Sequence, residues 1–267
     1  MNDELELKCI SSFTSRLPHI RGLGRLANLL IKLYKRKKRE IAISQIDGMR
    51  FELDPNDILG SMLLFTPQYY EHKEIQFIKD VLKKGDTFID IGAHIGLFSL
   101  IASQILGNDG KVISIEANPN TFQALKKNIE LNGITNIIPM NVGASDRVET
   151  KLLCREQKDN SGGFSFLNNQ RDYLESVDVQ CVPISQIIET NNIQTIDFLK
   201  IDVEGYEYVI LKHLFENVNN KLYPKFILLE INDFYINLSG SNPKLLLEQY
   251  NYKVIKNFKD NIVMGLN

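Results

Sequence analysis

From residue 87 onward the chain alternates short β-like runs with helical ones, and that alternation restricts the fold more than any other feature. Residues 87–91 (TFIDI) read as a strand, 97–106 as a helix, 111–116 as a strand and 121–132 as a helix closed by Gly133. A third strand is expected at 136–142, and later ones at 178–182, 197–202 and 226–230, with a helix at 207–214. Segments 252–257 and 261–264 suit an antiparallel pair turning at Lys259 and Asp260. Strands and helices at this spacing imply a Rossmann-like α/β fold with a doubly wound, mostly parallel sheet. An apolar content of 43% and a charged content of 24% suit a globular chain of this kind. No apolar run approaches the roughly 20 residues that span a bilayer.

The alternating region, taken with its lead-in helix as residues 61–267, follows an extension at 1–60. Within the extension, 41–46 and 49–53 read as a hairpin around Asp47-Gly48, a favoured two-residue turn. Upstream, Leu26, Leu29, Leu30 and Leu33 recur at helical spacing before a basic end, Lys35 to Arg39. That helix is expected to pack on the main domain with its cations solvated; a peripheral membrane or anionic contact is the alternative. The first 40 residues hold ten Lys/Arg and four Asp/Glu, the remainder 21 and 29. An acidic main body argues against a nucleic-acid partner. Cys9, Cys154 and Cys181 are too few and too far apart for a disulfide framework or a zinc site, so a cytoplasmic location is expected.

In a sheet of this type, ligands bind outside the carboxyl ends of the strands. The stretch FIDIGAHIGLFSL (residues 88–100) covers such an end, with Gly92 and Gly96 flanking the turn into the helix. One glycine of the dinucleotide pattern G-x-G-x-x-G is missing, and no Gly-Lys-Ser/Thr ending of a phosphate loop follows. The turn therefore suits a nucleoside without a phosphate chain. Glu116, at the end of the second strand, is placed to accept the hydroxyls of a ribose. Together these elements favour an adenosine ligand lacking phosphates, of which S-adenosylmethionine is the usual one.

FIDIGAHIGLFSL, ISIEANPNTFQALKKNIELN, NVGASD and above all FLKIDVEGYEYVIL make the chain resemble the FkbM family of S-adenosylmethionine-dependent methyltransferases over residues 71–230. The resemblance implies a class I methyltransferase fold and methylation of a hydroxyl on a sugar, glycan or natural product. It points to Asp90, Gly92, Ala93, His94 and Gly96 at the methionine end of the cofactor. Glu116, with Ala117 and Asn118, belongs to the ribose; Gly143 and Ala144, beside Val142, to the adenine. Tyr70 and Glu71 are expected to close over the methionine group, and the Ser161-Gly162-Gly163 loop to cover the acceptor.

Lys200, Asp202 and Glu204 form the catalytic cluster. Alternation along a strand puts Lys200 and Asp202 on one side, and a lysine within an apolar strand needs an anionic partner. Asp202 or Glu204 is expected to serve as base, with Lys200 tuning the charge; Asp202 also borders the cofactor. Asp202, Glu230 and Asn232 offer oxygen donors for a divalent cation, although three such groups equally describe an ordinary polar cleft. Methylation of nitrogen, a non-catalytic cofactor-binding scaffold and a dinucleotide-dependent oxidoreductase remain the rival readings.

Overall fold

The computed structural model describes residues 41–155, 162–167 and 173–267. The helix expected before residue 40, its basic end Lys35 to Arg39, and Ser161 lie outside the described residues.

Strands β1 (Ala42–Ile46) and β2 (Met49–Leu53) form the expected hairpin, with Asp47 and Gly48 at φ of 50° and 85°. Both central residues are left-handed, as the tight turn between twisted strands demands. Helices α1 (Ile58–Phe65) and α2 (His72–Val81) lead into β3 (Thr87–Ile91), α3 (Leu97–Leu106), β4 (Lys111–Ile115), α4 (Pro119–Leu131) and β5 (Ile137–Met140). Then come β6 (Gly143–Ser145), β7 (Glu149–Arg155), β8 (Phe164–Ser165), β9 (Glu175–Pro183) and α5 (Ile184–Thr190). The chain ends with β10 (Phe198–Ile201), α6 (Glu207–Asn217), β11 (Phe226–Glu230), α7 (Asp233–Ser239), α8 (Pro243–Gln249), β12 (Tyr252–Asn257) and β13 (Asn261–Leu266).

Seven strands make the central sheet in the order β12-β13-β11-β10-β3-β4-β5, and only β13 runs antiparallel to its neighbours. From β3 the chain builds outward through β4 and β5, then returns to lay β10 on the other side of β3. The switch point thus lies between β3 and β10, where a crevice opens at the carboxyl ends. Both faces of the sheet are buried, so the strands are apolar at successive positions. Phe88, Val112 and Phe198 face the layer of α1 to α4, whereas Ile89, Ile113 and Leu199 face α5, α6 and α8.

The hairpin shares the first of these cores through Phe51 and Leu53. Asn128 of α4 accepts the Glu52 N–H (2.8 Å), and Asn132 accepts that of Arg50 (2.9 Å), fastening the hairpin to the main body.

A second sheet, β6-β9-β7-β8, departs from expectation. Gly143 and Ala144 do not close the third strand of the main sheet; they pair with Cys181 and Val182 of β9, which itself lies outside that sheet. The chain leaves the main sheet after Met140 because the Asn141 side chain donates to the carbonyls of Glu116 (2.9 Å) and Ala117 (3.1 Å). Gly143 and Ala144 of β6 line the cleft.

Candidate active site

The turn from β3 to α3 is held from beneath. Asp90 has no exposed surface; Ser99 Oγ donates to its Oδ2 at 2.6 Å, and Ser114 Oγ contacts Ser99 Oγ at 2.7 Å. Above it, Gly92 has φ of 78°, and a Cβ there would stand 1.8 Å from the Asp202 carbonyl oxygen. Only glycine lets these two loops meet. His94 is also left-handed, at φ of 51°, and its N–H donates to Glu116 Oε2 (2.8 Å).

The other oxygen of Glu116 accepts the Asn118 N–H, again at 2.8 Å. Each oxygen keeps a lone pair for a ligand hydroxyl, since an ionised carboxylate offers about four acceptor positions. Burial pushes this carboxyl up to about 7, against the pull of the two N–H groups. Near Glu116 the cleft is also lined by Ala117, Gly143, Ala144, Leu153, Phe164 and Phe166, and Phe166 packs on Gly143, where a Cβ would come within 2.8 Å of its ring.

At the opposite end stands Lys200, 5% exposed. Its ammonium lies 3.4 Å from Asp202, 3.6 Å from Asp90 and 3.4 Å from the Gly92 carbonyl, over the ring of Phe98. These anions hold its pKa above the usual lysine range although burial opposes them. Glu71 borders the same space in a left-handed conformation (φ 43°), and burial lifts its carboxyl to about 8.

Glu204, left-handed at φ 54°, is fixed by Ser165 Oγ, which donates to its carbonyl at 2.7 Å. Burial and the nearby Asp202 charge raise its carboxyl to about 7. Glu207 secures the loop by accepting the N–H groups of Val203 (3.0 Å) and Gly205 (3.2 Å).

The cleft encloses about 220 Å³. Along its wall the structure brings together Glu71, Gly92, Ala93, His94, Glu116 and Ala117. Gly143, Ala144, Lys200, Asp202 and Glu204 line it too, with Tyr70 and Gly162 beside them. Three expected residues do not line it. Asp90 lies below the floor as a partner of Lys200, Gly96 caps α3, and Asn118 caps α4 by accepting from Asn120 and Thr121. Asn232 also serves as a cap, accepting the Phe234 N–H at 3.1 Å. Among the described residues no group of three or more His, Cys, Asp or Glu is placed to hold a metal ion. Sequence reasoning missed Leu59 and Met62 of α1, Phe98, and the apolar pair Phe164 and Phe166. Only the helical spacing of Ile58, Leu59 and Met62 hinted at any of them.

The strand order, the carboxylate after β4 and the lysine-carboxylate cluster after β10 define a class I methyltransferase architecture. The chain belongs to the FkbM methyltransferase family, whose domain model matches residues 90–254. It is similar to the hexuronic acid methyltransferase AglP of Haloferax volcanii, 24% identical over 185 residues that cover 65% of each chain. Methyltransferase 1 of Beauveria bassiana is 26% identical over 165 residues, 54% of this chain and 66% of that one. The chain thus spans just under two thirds of the length of these relatives. Among solved structures, that of M. jannaschii TYW2 in complex with AdoMet aligns at a TM-score of 0.45 and 14% identity, covering 86% of each chain.

S-adenosylmethionine needs an acceptor for its ribose diol, a flat apolar slot for adenine and negative surroundings for its sulfonium. Glu116, the apolar surface of Ala144, Phe164 and Phe166, and the carboxyl groups of Asp202 and Glu71 all line one cleft and are groups of these kinds. The residues fit the cofactor.

Proposed function

We propose that this protein transfers a methyl group from S-adenosylmethionine to a hydroxyl of a sugar, glycan or natural-product acceptor. The observation that carries this reading is the pair of carboxylates, Asp202 and Glu204, on the cleft wall at the end of β10, one of them anchored by Lys200. When bound, the cofactor supplies an electrophilic methyl group. What remains for the chain is alignment, exclusion of water and removal of the acceptor's proton.

Alignment falls to Glu116 at one end and to the close contact of Gly92 with Asp202 at the other. Leu59, Met62 and Phe98 keep the walls dry. Glu204 is the better-placed base. Asp202 is engaged by the Lys200 ammonium and acts as a fixed counter-charge, whereas burial lifts the Glu204 carboxyl to about 7. A base with that pKa takes a proton from a hydroxyl and returns it to solvent near neutral pH.

The name of the Haloferax volcanii relative supports a sugar acceptor, and the acidic body of the chain speaks against nucleic acid. Buried free thiols at Cys154 and Cys181 suit the cytoplasm. We assign catalysis to residues 61–267, with 1–60 as an extension; no described helix is long and apolar enough to cross a membrane. Methylation of an amine is the second reading, because the same carboxylates would attract an ammonium group.

The test is incubation with methyl-labelled S-adenosylmethionine and a panel of glycosides and amino sugars, with products resolved by NMR. Methyl ethers support the proposal; N-methyl products favour the second reading. Cofactor binding without transfer to any acceptor would point to a scaffold.

A further inference from the structure

We infer that Ser165 is the positioning residue of Glu204, and that a ligand seated on Phe164 and Phe166 tightens its hold, so that the cofactor sets the base before the acceptor arrives. The inference rests on the base assignment above. Residues 164–167 form a short segment that touches both the cleft and the loop after β10. Side chains alternate along such a segment. Phe164 and Phe166 line the cleft and are half-buried. Ser165 and Leu167 reach the loop instead. Ser165 Oγ donates to the Glu204 carbonyl at 2.7 Å while it accepts the Leu167 N–H at 3.0 Å. Leu167 packs on Gly205, where a Cβ would come within 2.5 Å of its methyl group, and Phe166 meets the Tyr206 ring edge-on at 5.5 Å. Glu204, Gly205 and Tyr206 are thus each gripped by one residue of 165–167.

The loop needs that grip. Glu204 and Gly205 are both left-handed, at φ of 54° and 101°. A residue with a side chain keeps such a conformation only where its surroundings impose it. Glu207 fixes the N–H groups of Val203 and Gly205 from the helix that follows. Ser165 adds an anchor from a different sheet, and that anchor depends on where the segment lies. A ligand in the cleft covers apolar surface of Phe164 and Phe166, which favours the seated position of the segment. Its binding energy then reaches the backbone of Glu204 through Ser165. An acceptor that entered first would meet a looser base, so productive binding follows one order.

Hydrogen–deuterium exchange on the full chain, with and without saturating S-adenosylhomocysteine, tests this, because exchange reports how often a segment opens. In the wild type the ligand should slow exchange at residues 203–207 by about fivefold, the worth of one neutral hydrogen bond. Ser165→Ala should bind S-adenosylhomocysteine within a similar factor of wild type and keep the ligand's protection at residues 92–96, but lose most of it at 203–207. Ser165→Thr retains the hydroxyl and should restore it. Phe166→Ala should weaken ligand binding and the protection of 203–207 together. Equal protection of 203–207 in wild type and Ser165→Ala would overturn the inference, since the ligand would then act on the loop directly. No protection there in the wild type would overturn it too, as would loss of S-adenosylhomocysteine binding in Ser165→Ala. Failure of the wild type to bind S-adenosylhomocysteine would instead sink the methyltransferase reading itself.

Discussion

Lys200 and Asp90 lie on adjacent strands with 3.6 Å between ammonium and carboxylate, and neither has appreciable contact with solvent. A buried charge keeps its place only when it is matched, and here one lysine answers two aspartates. Replacing Lys200 by Met leaves those carboxylates uncompensated. The expected cost is about 3–5 kcal/mol, the range for breaking a buried pair. Urea unfolding should show it as a lower midpoint, with Asp90→Asn restoring part of the loss in the double variant. An unchanged midpoint in Lys200→Met would mean that the cluster is solvated after all.

Glu116 holds the N–H groups of His94 and Asn118 and has acceptor capacity left for a ribose. Glu116→Gln keeps the shape but removes the charge and turns one acceptor into a donor. S-adenosylhomocysteine should bind about 10- to 100-fold more weakly, as expected for hydrogen bonds to a charged group. Calorimetry on wild type and variant decides the matter, and equal affinities would remove Glu116 from the ribose site.

Glu204→Gln should lower kcat by about 10²- to 10⁴-fold, the usual worth of a general base, while cofactor affinity stays within a factor of a few. In the wild type the rate should rise with pH through about 7, the value to which burial and the Asp202 charge lift this carboxyl. Loss of that acidic limb in the variant would identify the group. If Asp202→Asn alone removed the limb, the base assignment would move to Asp202.

Glu71, Glu204 and Glu230 titrate near 8, 7 and 9, all raised from 4.5 first of all by burial. Because the folded values exceed the unfolded one, these groups favour folding most below about 4.5, and that contribution is lost as pH rises through 7 to 9. A cationic ligand favours the ionised forms, so the two effects oppose each other. S-adenosylmethionine should gain affinity relative to its neutral product, S-adenosylhomocysteine, between about pH 6 and 9. A ratio of dissociation constants that stays flat across that range would show that these carboxylates do not sense the sulfonium.

The strands at the centre of the main sheet could be read from the chain because they are short apolar runs bounded by turn residues, as at Thr87–Ile91 and Phe198–Ile201, and the polar edge strand β12 by its pairing across the Lys259-Asp260 turn. Of the second sheet only β9 could be read, as the run at 178–182. Gly143–Ser145 has no β-forming side chain, and Phe164–Ser165 is two residues inside a polar stretch; both are strands only because β9 and β7 lie beside them. The same limit applies to the site. Glu116 and Asp202 could be placed because a strand end fixes where a side chain emerges. Whether Asp90 looks into the cleft or beneath it depends on Lys200, from a strand far along the sequence, and on Ser99 in the helix after the turn; no local pattern records either. Tyr235 packs on Gly205 from a helix whose sequence carries no periodic signal of a buried face.

Glu71, His94 and Glu204 hold left-handed backbones, and all three border the cleft. For a residue with a side chain that conformation costs roughly 1–2 kcal/mol. The protein therefore carries, around one small space, a reserve of stability it has not used. A search for heat-tolerant variants will be drawn to glycine at these positions and will find longer-lived proteins there. Those same proteins will have slacker walls where the cofactor and acceptor meet, so durability and turnover will trade against each other at these three sites before anywhere else in the chain.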